Sequence, residues 1–221
     1  MSDVKYIAVD VEASGPTPAR YSILSLGACV VGDTQKRFYR ELQPKQSYSH
    51  PLREWIPNLF NNEEAMRVGC LGLKCISELK KKKKFNPKRQ EFEPREVLKL
   101  LLEIGVPPGK AMEEFKDWVL EHSKGKKPIL ASDCIAFDGM WVHDYFGTQY
   151  VGNSGRYSIE NPFEYGGVDI NSMYRGFAQD MDQGIKQSEF WQGGKLSHNA
   201  LEDAIQQAEA MQRMLEAMRK R

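Results

Sequence analysis

The segment Lys5-Tyr-Ile-Ala-Val-Asp-Val-Glu12 constrains the fold of this chain more than any other. Its residues alternate as a strand does, so Ile7, Val9 and Val11 share one face and Ala8, Asp10 and Glu12 the other. Two carboxylates side by side at the end of a buried strand repel each other. A divalent cation relieves that repulsion, and hard oxygen ligands suit magnesium or manganese. The competing reading is an acidic strand end running into the loop Ala13-Ser-Gly-Pro-Thr-Pro18. On the pair alone both readings stand.

The segments after this strand set the fold class. Ser22-Ile-Leu-Ser-Leu-Gly-Ala-Cys-Val-Val31 is rich in strand formers and ends at Gly32-Asp33; Arg37-Phe-Tyr-Arg-Glu-Leu42 is closed by Pro44. Three strands with short connections predict an antiparallel meander. Helices are expected at Asn62 to Arg67 and Pro94 to Leu102, on either side of a lysine run, and at the stripe Ala111, Phe115, Trp118 and Val119. Ile129 to Ser132 is a predicted strand, Asp138 to Phe146 a helix packed through Met140, Trp141 and Tyr145, and Gly167 to Ile170 another strand. A final helix carries the stripe Leu201, Ala204, Ile205, Ala208, Met211, Leu215 and Met218. Meander first, then alternating helix and strand, is the pattern of an α/β protein built on one mixed sheet.

At 221 residues, with 41% hydrophobic and 28% charged, the chain can bury one good core. No stretch is apolar for long enough to span a bilayer, and no secretory pattern precedes the first strand. Cys29, Cys70, Cys75 and Cys134 form neither zinc-like pairs nor a disulfide framework, so reduced thiols in a cytoplasmic protein are expected.

Two further carboxylates sit where elements change type. Asp138 falls near the start of its helix, and Asp203 in the first turn of the last one. Asn199 is the expected N-cap there, with Glu202 three residues on. This leaves His198 outside the helix, which matters because on one continuous helix positions 198 and 203 would point about 140° apart. From the preceding loop, His198 and Asp203 can converge on one cleft. Each carboxylate alone is an ordinary helix-start residue; their joint occurrence with Asp10 and Glu12 favours a site.

Val9-Asp-Val-Glu12, Ala136-Phe-Asp138 and His198-Asn-Ala-Leu-Glu-Asp-Ala204 resemble the three ordered motifs of the DEDDh 3′–5′ exonucleases, the superfamily of RNase T, oligoribonuclease and the polymerase III proofreading subunit. The resemblance runs from about Tyr6 to Met214. It implies an RNase H-like fold: a central mixed five-stranded sheet, antiparallel meander then parallel strands, flanked by helices. It further implies one exonuclease domain over 1–221 with a family-atypical helical and basic insertion at about 58–109. The chain departs from the family at Cys134, where an Asn is frequent, and Asp133 is not taken as its substitute. Ala13-Ser-Gly15 also replaces the usual Thr-Gly-Leu.

The resemblance assigns roles. Asp10 would bridge two divalent ions, Mg2+ or Mn2+, about 4 Å apart. Glu12 and Asp203 would complete the site of the attacking water, and Asp138 would act on the second ion. His198 would take the water's proton, since a histidine ordinarily titrates near neutrality. His50, His122 and His143 are read as ordinary surface or core residues. Family precedent puts the backbone of Ala13, Ser14 and Gly15 and the side chain of Leu24 or Leu26 around the terminal nucleotide; both leucines also read as plain core. Trp191 offers a base-stacking face or packs on a neighbouring helix. Lys80 to Lys84, with Lys88 and Arg89, offer phosphate contacts or a solvated loop.

The expected partner is single-stranded RNA or DNA with a free 3′ end, RNA slightly ahead, cleaved to nucleoside 5′-monophosphates; family members are often homodimers. Two alternatives share the fold: a non-catalytic nucleic-acid-binding adaptor and an RNase H-like endonuclease. The absence of a G-x-S-x-G elbow speaks against a serine hydrolase.

Overall fold

The computed structural model describes residues 3–45, 63–77, 94–147, 149–151, 155–157, 159–194 and 197–220. The lysine run at 80–84, with Lys88, Arg89 and His50, lies outside these residues. Strands β1 (Val4–Ala13), β2 (Ile23–Val30) and β3 (Asp33–Glu41) form the expected meander. Two helices come next, α1 (Glu63–Cys70) and α2 (Pro94–Ile104), then α3 (Pro108–Ser123) and β4 (Lys127–Ser132). Helix α4 (Ile135–Gly147) leads to the short pair β5 (Gln149–Val151) and β6 (Gly155–Tyr157). Strand β7 (Gly167–Asp169), α5 (Ile170–Ala178) and α6 (Ala200–Met218) complete the order.

The main sheet runs β3-β2-β1-β4-β7, antiparallel across the meander and parallel from β1 through β4 to β7. This five-stranded mixed sheet flanked by helices is the RNase H-like architecture expected from the sequence. The alternation along β1 decides what each face buries. Ile7, Val9 and Val11 join Phe115 and Val119 of α3 and Trp141, Tyr145 and Phe146 of α4 in one apolar cluster. Ala8 faces the other way and packs with Ala204, Ala208 and Met211 of α6 and Ile170 and Tyr174 of α5. A third, smaller cluster holds Leu24 with Met66 and Cys70 of α1, with Leu73, Cys75 and Ile76, and with Val97, Leu98, Leu100 and Leu101 of α2.

Several elements differ from the sequence reading, among them α4, which starts at Ile135 rather than Asp138. β3 begins at Asp33 rather than Arg37, because a two-residue turn at Val31-Gly32, with Gly32 at φ 85°, pairs Val30 with Asp33 at once. The β5–β6 hairpin has three-residue strands, too short to show a period. α5 extends the chain beyond the expected strand at Gly167, its Ile170, Met173, Tyr174 and Phe177 having helical spacing. Among the described residues no helix is long and apolar enough to cross a membrane.

Candidate active site

Asp10 and Glu12 reach the site because β1 outruns its neighbour. The parallel pairing of β1 with β4 ends at Ala8 opposite Ala131, which leaves the next part of that edge of β1 without a strand beside it. Asp138, in the first turn of α4, fills the gap: its Oδ1 accepts the Val11 N–H at 2.9 Å. Its other carboxylate oxygen accepts the Ser132 hydroxyl. Asp138 is thereby fixed and buried beside β1.

Asp203 arrives from the opposite layer. Asn199 caps α6, its side chain accepting the Glu202 N–H at 3.2 Å, as expected. The start of α6 lies directly against β2 at Gly27, the residue paired with Asp10; a Cβ there would overlap the Ala200 backbone. That close approach lets Asp203 reach the β1 carboxylates. Ser197 holds it in place, donating its N–H at 3.0 Å and its hydroxyl at 3.1 Å to Asp203 Oδ1. His198 stands outside the helix at φ 54°, with Nδ1 3.8 Å from Glu12 Oε1. The distance is too long for a hydrogen bond but places the imidazole at the rim of the acidic cluster.

The carboxylates fall into two groups that share Asp10. Ligand oxygens of Asp10, Glu12 and Asp203 lie within 4.8 Å of one another, and so do those of Asp10, Asp133 and Asp138. Their proton affinities show the strain. Burial, then the charges of Asp138, Glu12, Asp203 and Asp133, push Asp10 well above the usual carboxylate range. Burial, then Asp203 and Asp138, push Glu12 up to about 9. Asp138 and Asp203 are raised as well, burial leading in both, with the Ser132 and Ser197 hydrogen bonds opposing it. Crowded hard oxygen donors with raised proton affinities and a shared central carboxylate could hold a divalent metal cation.

Two polar residues join the site beyond those expected from the sequence. One is Asp133, and the strand register signals it: two residues beyond the Ala8–Ala131 pair come Asp10 and Asp133. Lys186 Nζ contacts its carboxylate, and Asn171 Nδ2 donates to its carbonyl at 2.5 Å. The other, Gln207, lies one helical turn beyond Asp203 and is wholly buried. Its Nε2 donates to Asp10 Oδ1 at 2.8 Å while its Oε1 accepts the Asp133 N–H at 3.1 Å, tying the two groups together.

The expected nucleotide-lining residues divide. Leu24 and Leu26 are completely buried, Leu24 beneath α1 and α2 and Leu26 in the cluster with α3 and α4. Neither exposes a surface, and the lining expectation is corrected for both: they are core. Ala13 ends β1 just past Glu12 and leads into Ser14 and Gly15. The Ser14 N–H and hydroxyl are engaged with Ser22, and Ala13, Ser14 and Gly15 are buried. Trp191 is half-buried against the second cluster, its indole N–H donating to the Gly194 carbonyl at 3.3 Å, with Lys186 Nζ 5.7 Å from its ring centre. His122 and His143 lie elsewhere, His122 stacked on Trp118 and His143 bonded to Asn161.

Fold and site together define a class, the RNase H-like 3′–5′ exonucleases. Over residues 5–215 the sequence matches the Rv2179c-like 3'-5' exoribonuclease domain, and the chain belongs to that family. It is 31% identical over 210 residues to the 3'-5' DNA exonuclease Cap18 of Escherichia coli, covering 92% of this chain and 88% of that protein. Among solved structures it is similar to S. pombe Pop2p in its Mg2+ and Mn2+ bound form, with TM-score 0.47 and 12% identity over 95% of this chain and 82% of that one.

Proposed function

We propose that this groove hydrolyses the terminal phosphodiester at the 3′ end of single-stranded nucleic acid, dependent on two divalent ions, and releases nucleoside 5′-monophosphates. One observation carries the reading: two carboxylate groups share Asp10, and His198 borders the group that contains Glu12. Asp10 would be common to both ions, Glu12 and Asp203 would hold the first, and Asp138 with Asp133 the second. Bound there, the ions would neutralise charge on the attacking and leaving oxygens.

The protein's own groups do the rest. His198 Nδ1 faces Glu12, which leaves Nε2 to take the proton of the attacking water. The Ser197 bonds hold Asp203 at a fixed distance from that histidine, and Gln207 keeps Asp10 from rotating away. Half-buried Trp191, with Lys186 beside its ring, would offer the terminal base a stacking face. The sugar is left to experiment, since the family's description names RNA and the E. coli relative is a DNA exonuclease.

An adaptor that binds nucleic acid without cutting it gains nothing from five carboxylates whose crowding destabilises the metal-free fold. The deciding experiment uses matched 5′-labelled RNA and DNA strands and a circular strand, with and without Mg2+ or Mn2+. A ladder shortening from the 3′ end, absent without metal, is the expected result, and the faster strand reports the sugar. Cleavage of the circle would make the protein an endonuclease, and binding without turnover an adaptor.

A further inference from the structure

The stretch between the meander and α3 is assigned no role by the motifs, yet its turn after α1 reaches the site. His198 has a left-handed backbone, at φ 54°. Among the described residues two other non-glycines share that conformation, Lys124 and Gln179, and both are C-caps, of α3 and α5, where it is common. His198 has no such reason; it precedes an N-cap. An unfavourable backbone persists only where its surroundings impose it.

The imposing contact is the turn after α1. Gly72 packs face-on against the His198 carbonyl, and a Cβ at position 72 would overlap that group and the Asn199 nitrogen. Asn199 Nδ2 donates to the Gly72 carbonyl at 2.7 Å, while the same side chain's oxygen caps α6. Three residues earlier, Gly69 also lies close to the Ala13 carbonyl at the end of β1. The turn is itself anchored: Glu41, at the end of β3, accepts the Lys74 and Cys75 N–H groups, Cys75 at 3.1 Å. Leu73, Cys75 and Ile76 are buried beside it.

We propose that the turn Gly69 to Cys75 is a positioning element for His198: through Gly72 and Asn199 it sets the backbone that aims the imidazole at the water-activating carboxylates. The inference rests on His198 as the proton acceptor. It makes this segment part of the catalytic frame, with Gly72 and Asn199 as positioning residues.

Asn199→Ser tests it. Serine keeps the cap of α6 but is too short to reach the Gly72 carbonyl. The expected result is a 10- to 100-fold fall in kcat, of the order that a misplacement of about 1 Å costs. KM and Mn2+ affinity by calorimetry should stay within about twofold, and the His198 imidazole NMR resonances should shift or broaden. Gly72→Ala should act the same way more strongly; where it lowers folding yield, Asn199→Ser stands alone. A folded Asn199→Ser protein with kcat within twofold of the parent overturns the proposal. So does a loss of kcat matched by lost Mn2+ affinity, which would mark a general structural role. His198→Ala run in parallel separates the two ideas, because full activity there removes the proton-acceptor assignment itself.

Discussion

Asp10 sits where two groups of carboxylates meet, and every neighbouring charge raises its proton affinity after burial has done so. An uncharged Asn at that position keeps the shape and removes the repulsion. Asp10→Asn is therefore expected to raise the Tm of the metal-free protein, by about 2–4 °C per kcal/mol relieved. It should also abolish metal binding and lower turnover by at least about 10³-fold; calorimetry and thermal scans with and without Mn2+ check both halves. His198→Ala should retain metal binding and lose about 10²–10⁴-fold in kcat, the range of a general base. Glu12 fixes the sign of the pH response. Its proton affinity rises from an ordinary 4.5 to about 9, so between those values the native state holds more protons than the unfolded chain. Stability of the metal-free protein should then be greatest in the acid part of this window and fall as pH rises towards about 9. Denaturant titrations at stepped pH would show the opposite slope if Glu12 were paired with a cation of the protein.

At the scale of elements, α6 brings the two halves of the site together. Its first turn supplies Asp203, its second Gln207, and the loop before it His198. The closeness depends on Gly27, so Gly27→Val should push the helix off β2, cost about 1–3 kcal/mol by overpacking and weaken Mn2+ binding at the same time. Asp133→Asn should weaken binding of one ion while sparing the other, read as a change in calorimetric stoichiometry near neutral pH. Much here is legible in the chain: the cap at Asn199, the placing of His198 outside the helix and the end of β1 all follow from residue type and spacing. Asp133 and Gln207 are not, since each reaches Asp10 only through a partner element, β4 in register with β1 and α6 folded across it. The lining role expected of Leu24 and Leu26 fails for a related reason: strand alternation assigns faces, but the covering helices decide whether a face is core or groove.

For the whole molecule, the consequence is an α/β/α layering whose acidic cluster borrows from both layers. The sheet supplies Asp10 and Glu12, the α4 side Asp138, and the α6 side Asp203 and His198. Ions that bind only this assembled cluster should stabilise the entire fold. At 100 times its Kd, Mn2+ is expected to add about 2.7 kcal/mol, some 5–10 °C in Tm. The gain should be larger at pH 8 than at pH 6, because protons compete for the same oxygens. An equal gain at both pH values, or in Asp10→Asn, would place the ions elsewhere.

The order of motifs, the meander and the residues Asp10, Glu12, Asp138, His198 and Asp203 were determined by the sequence, because strand period, capping chemistry and charge are local properties. The recruitment of Asp133 and Gln207, the burial of Leu24 and Leu26, and the grip of the Gly69 to Cys75 turn on His198 were decided by tertiary structure. These depend on which surfaces meet, and residues far apart in the chain meet only once the sheet has its register and the helices have settled on its two faces.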